Sequence, residues 1–237
     1  MLARWRATRV GIVLICATIA LAGCVAGSTA IDSAALQSSP AMQTPIVFVH
    51  GNGDTAALWH TTIWRFESNG YPRELLFAID FTYPQGRADD AVPMAGRSSS
   101  ADQLRELSAF VAKVRAVTGA AKVALVASSR GANAVRNFVR NGAGEEVVSQ
   151  VVLGGGVNHG VYASATFNPG SEFNGTGPFM RALNAPYADG AEVSPRVRWL
   201  TLRSDGFDKY AQPEGRFVGR PGIATGVTYD APALRGA

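Results

Sequence analysis

Lys122-Val-Ala-Leu-Val-Ala-Ser-Ser-Arg-Gly131 is the stretch on which the reading of this chain turns. An apolar run of β-type residues ends in small-x-Ser-x-Gly, and a helix-like run, Ala132 to Arg140, follows at once. A strand that turns sharply into a helix lifts a serine hydroxyl clear of the sheet, where it can attack a carbonyl carbon. The register selects Ser129. Gly131 stands two residues after it, and Ala127 stands two before it in place of the more usual glycine. Ser128 is one position out of register and is expected to pack or hydrogen-bond locally.

The flanking sequence supplies a sheet for this turn. Pro45-Ile-Val-Phe-Val-His-Gly51 has four apolar residues in a row, the pattern of a strand buried on both faces of a parallel sheet. Gly51, Asn52 and Gly53 end it, and Thr55 to Glu67 suits a helix. Leu75 to Phe81 reads as the next strand. Tyr83 to Ser100, rich in Pro, Gly, Ser and Asp, reads as a long loop. Ala101 to Val117 places Leu104, Leu107, Phe110, Val111 and Val114 at the i, i+3, i+4 spacing of an amphipathic helix. Strands are expected at Val123 to Ala127, Val147 to Leu153 and Arg196 to Leu202. Strands alternating with helices predict an α/β fold, a mainly parallel sheet with helices on both faces. Between the last two strands, residues 157–193 scatter Tyr162, Phe167, Phe173, Phe179 and Tyr187 among Gly, Asn and Ala. This segment either plugs the side of the core or caps a binding pocket at the C-terminal ends of the strands.

The first 43 residues differ in character. Arg4, Arg6 and Arg9 precede an apolar run from Val10 to Leu21, too short to span a bilayer comfortably. The run ends in Leu21-Ala22-Gly23-Cys24, which resembles a bacterial lipobox. The expectation is a lipoprotein-type signal over residues 1–23, lipidation of Cys24, a flexible tether over 24–43 and a folded domain over 44–237. The chain would then be exported and held by its lipid on a bacterial membrane, in the periplasm or at the cell surface, or else secreted. Cys16 would be lost on cleavage, so no internal disulfide is expected. The formal charge of +4 falls to +1 once the three leader arginines are set aside, which gives no basic surface for nucleic acid. No metal site or cofactor is expected: the three histidines are scattered, and Gly154-Gly155-Gly156 lacks the Lys-Ser/Thr of a phosphate loop.

Four ordered pieces together resemble the α/β-hydrolase superfamily, particularly bacterial lipases and esterases. They are Val47-Phe-Val-His-Gly51, the turn at Ser129, Leu153-Gly-Gly-Gly-Val-Asn-His-Gly160, and Thr201-Leu-Arg-Ser-Asp-Gly-Phe-Asp208. The resemblance implies a serine hydrolase of carboxylic esters acting through an acyl-enzyme on Ser129, on small-molecule, lipid or polyester substrates. It implies an oxyanion hole from the backbone N–H groups of Asn52 and Arg130. For the acid it offers Asp208, followed by Pro213 five residues on, with Asp205 as the runner-up. It assigns His50 to shaping the loop after the first strand.

The same family order, serine then acid then histidine, asks for a base after Asp208. The histidines are His50, His60 and His159, and none comes late enough. The resemblance therefore carries two expectations. One is a hydrolase shortened at its C-terminus, missing the last core strand and the histidine-bearing loop. The other is an inactive scaffold that binds an acyl ligand or a partner without turnover.

Overall fold

The computed structural model describes residues 43–161, 166–204 and 227–229. Its centre is a six-stranded sheet: β1 (Ile46–Val49), β2 (Leu76–Ile79), β3 (Val123–Ser128), β4 (Val148–Gly154), β5 (Arg198–Ser204) and β6 (Val227–Tyr229). The spatial order is β2-β1-β3-β4-β5-β6, and every pairing is parallel. Strand β6 departs from the expectation of no strand after Leu202 and a missing last core strand. Three residues, Val-Thr-Tyr, are too short a run for periodicity to reveal.

The helices are α1 (His60–Ser68), preceded by a 3-10 turn at Ala56–Trp59, then α2 (Ser100–Thr118), α3 (Arg130–Asn141), the single turn α4 (Gly144–Val147) and α5 (Pro178–Leu183). They cover both faces. On one face Val47, Val49, Leu125, Ala127 and Leu153 pack with Leu107, Val111 and Val114 of α2 and with Val135, Phe138 and Val139 of α3. On the other, Ile46 and Phe48 pack with Trp59 and with Ile63 of α1. Alternation along β1 thus persists, although all four residues are buried, because each face meets its own helical layer.

Local chemistry fixes the longest helix. Ser99 and Asp102 form a reciprocal capping box at the start of α2: the Ser99 hydroxyl accepts from the Asp102 N–H, and the Asp102 carboxylate accepts from the Ser99 N–H. Gly119, at φ 69°, ends the helix in the left-handed conformation that glycine adopts without a Cβ penalty.

The strand order places the site. From β1 the chain moves outward to β2, then returns across β1 to β3 and continues the other way to β4. The C-terminal ends of β1 and β3 therefore flank the point where the winding reverses, which is where open parallel sheets leave a crevice.

Candidate active site

Ser129 occupies that crevice. It joins β3 to α3 at φ 52° and ψ −122°, and it is the one non-glycine residue with positive φ among the described residues. A strained residue of this kind persists only where its surroundings over-determine it. Here they do. The Ser129 N–H donates to Gly154 O at 3.1 Å, and Ser129 O accepts from Ala132 N–H at 3.0 Å.

Two glycines make room for the turn. A Cβ on Gly131 would lie 2.7 Å from both the His50 and the Val49 carbonyl oxygens, so only glycine lets α3 start this close to β1. A Cβ on Gly51 would lie 2.9 Å from Ser129 Cβ and 3.5 Å from Ser129 Oγ. The loop after β1 thus runs directly alongside the serine, and Asn52, the next residue, lines the same cavity as Ser129.

That cavity has a volume of about 260 Å³ and is lined by Asn52, Ser129, Val157, Val161, Phe167 and Phe173. The two phenylalanines meet edge to face, their ring centroids 6.1 Å apart. The described part of the 157–193 segment therefore walls the cavity with apolar side chains. Val161 was not picked out from sequence. It belongs to no periodic run, and only its place after the Asn158-His159-Gly160 turn brings it to the serine.

Arg130 presents two different groups. Its N–H begins α3, where helix geometry leaves the first amides without intrahelical acceptors. Its side chain turns away and is fully buried. Nε donates to Glu172 Oε1 at 2.6 Å, Nη1 to Pro84 O at 2.8 Å and Ser98 Oγ at 2.9 Å, and Nη2 to Ser98 O at 2.9 Å. Nη2 also lies 2.5 Å from Glu172 Oε1. Burial pushes the Glu172 carboxyl up from its ordinary range, and the charge and hydrogen bonds of Arg130 oppose that rise. Nothing in the sequence marks Glu172 or Ser98 as partners of Arg130, because 42 and 32 residues separate them.

The histidines are placed elsewhere. His50 is buried. Its Nε2 accepts from the Phe81 N–H at 3.2 Å and its Nδ1 lies 2.9 Å from Gly51 O, a pairing that suits the Nδ1–H tautomer and holds the loop after β1. His60 is on the exposed side of α1, stacked on Trp64 with centroids 6.5 Å apart. His159 Nε2 pairs with Glu192 Oε2 at 2.8 Å. Strand β5 ends at Ser204, at the same end of the parallel sheet as Ser129. Asp205 and Asp208 follow it and lie outside the described residues, as does Cys24.

The family model Lipase (class 2) matches residues 43–179, more than half of the chain. Among solved structures, the mature form of the Bacillus licheniformis lipase BlEst2 is similar at 18% identity, covering 82% of this chain and 86% of that one, with a TM-score of 0.55. Aspergillus fumigatus lipase B is similar at 15% identity over 81% of this chain and 43% of that one, with a TM-score of 0.56. The propeptide form of BlEst2 is matched at 20% identity over 70% of this chain and 37% of that one, with a TM-score of 0.49. The chain thus spans less than half the length of the propeptide form of BlEst2 and of Aspergillus fumigatus lipase B.

Proposed function

The chain belongs to the class 2 lipase family, and from that premise we propose that it is a scaffold for carboxylic-ester hydrolysis with Ser129 as the nucleophile. The observation that carries this reading is the strained Ser129 backbone, held against Gly51 at the mouth of an apolar-walled cavity. Ser129 Oγ would attack the ester carbonyl carbon while its proton passes to a base. The negative charge that develops on the carbonyl oxygen would be met by the Asn52 and Arg130 N–H groups, each worth about 3 kcal/mol of transition-state stabilisation. The C–O bond to the alcohol then breaks, the alcohol takes the proton, and water releases the acid from Ser129. Asp208, or Asp205 in its place, would orient the base.

None of the three histidines in this sequence stands ready as that base. His50, His60 and His159 each have another engagement, with the loop after β1, with Trp64 and with Glu192 respectively. This observation also favours a second reading, an acyl-binding scaffold without turnover. Chemical rescue separates the two. On a series of p-nitrophenyl esters, 50–200 mM imidazole should raise turnover in the unaltered protein but not in Ser129→Ala. Binding of a long-chain ester with no imidazole-dependent turnover supports the scaffold reading instead. We further propose that residues 1–23 direct export and that Cys24 carries a lipid anchor. A Cys24→Ala variant that still incorporates radioactive palmitate would refute the anchor.

A further inference from the structure

An oxyanion donor contributed by a backbone N–H makes no demand on its own side chain, yet Arg130 carries a guanidinium with all five N–H donors engaged in the interior. A buried ion pair stabilises no more than well-packed apolar residues of the same volume, so stability alone is a weak reason to keep one. Its partners suggest another. Pro84 and Ser98 bracket the loop between β2 and α2, and that loop grips the segment carrying Asn52: Gly53 N–H donates to Pro84 O at 3.2 Å, and Gly86 N–H donates to Asn52 Oδ1 at 2.7 Å. Glu172 is adjacent to Phe173, which walls the cavity. The three segments converge at Gly86, where a Cβ would lie 3.0 Å from the Phe173 ring, 3.1 Å from Glu172 Oε1 and 3.3 Å from Arg130 Nε. Asn133, one helical turn beyond Arg130, adds a second hold on Glu172, with Nδ2 donating to Oε2 at 3.3 Å.

We infer that Arg130 and Glu172 are a positioning pair that locks the cavity wall, the loop bearing Asn52 and the start of α3 into one unit. The consequence for oxyanion stabilisation rests on the function proposed above, but the mechanical coupling does not. Two readouts on Glu172→Gln keep them apart. Amide hydrogen exchange reports the coupling: exchange should rise about tenfold in peptides covering 51–53 and 84–98 as well as in those covering 166–177. A rise confined to 166–177 would overturn the coupling. The reaction of Ser129 with a fluorophosphonate, resolved into a binding constant and a bond-forming rate, reports the consequence. The bond-forming rate should fall roughly 10- to 100-fold while the binding constant changes less than about threefold. A lower Tm with an unchanged bond-forming rate at 25 °C would reduce the pair to a structural one. If the unaltered protein is not labelled even with imidazole present, the proposed function fails, and exchange still decides the coupling. Should Glu172→Gln not fold, Asn133→Ala removes only the second hold and should move both readouts less, in the same direction.

Discussion

Helix α3 has two faces, and both are buried. One is apolar: Val135, Phe138 and Val139 meet the sheet and α2. The other carries Arg130, Asn133, Arg136 and Asn137, spaced like the solvated stripe of a surface helix and yet also inaccessible. The described residues of 157–193 and the loop before α2 cover it. Arg136 Nη1 donates to Asn158 O at 2.9 Å, and its Nη2 to Asn184 Oδ1 at 2.6 Å. Arg140, at the end of the stripe, donates to Ala185 O and sits 4.2 Å over the Tyr187 ring. The apolar face attaches the helix to the core by area. The polar face attaches the pocket wall to the helix by direction, since a hydrogen bond fixes an orientation that hydrophobic contact leaves free.

The largest stability effect belongs to the apolar face. Phe138→Ala should cost roughly 3–5 kcal/mol in denaturant unfolding, because it opens a cavity between α3 and the sheet. Arg136→Ala tests the polar face. If the polar stripe is an interior attachment, this change should cost about 2–4 kcal/mol, since it removes donors from buried acceptors. If the stripe behaves as a solvated face, the cost should stay within about 0.5 kcal/mol, and the comparison fails. Burial pulls the Arg136 guanidinium down to about 9, so these hydrogen bonds work against a real desolvation cost.

The smallest effect lies outside α3, where a polar group is partly solvated. The Ser99 N–H and the Arg105 guanidinium hold Asp102 down to about 2, with Arg87 adding to them. A carboxyl depressed in the folded state stabilises it above the unfolded value near 3.8, and that stability is lost as pH falls from about 4 to about 2. Allowing for solvent screening, the contribution is about 1 kcal/mol. Asp102→Asn should therefore flatten the fall in Tm between pH 4 and pH 2. A fall as steep as in the unaltered protein would remove Asp102 from the account.

What could be read from the sequence follows the same division. Strands β1 to β5 and helix α2 were legible because burial writes its period into adjacent residues. The turn at Ser129 was legible because Gly131 and Ala127 bracket it. The helix before β4 was not, being a single turn with no room for a period. The walls of the site were legible only as scattered aromatics. Partners of the polar stripe in the segments that cover it lie 22 to 52 residues away, and no local pattern encodes a pairing at that distance. Glu172 looks like any acid in a loop until the fold brings Arg130 to it.

The most direct test is the reaction of the folded protein with a fluorophosphonate probe, with and without imidazole, followed by peptide mapping of the adduct. A single adduct, on Ser129, is expected to form faster with imidazole and to be absent from Ser129→Ala. Modification at another serine, or none at Ser129 when imidazole is present, would contradict the central claim that this turn holds an acyl-accepting nucleophile.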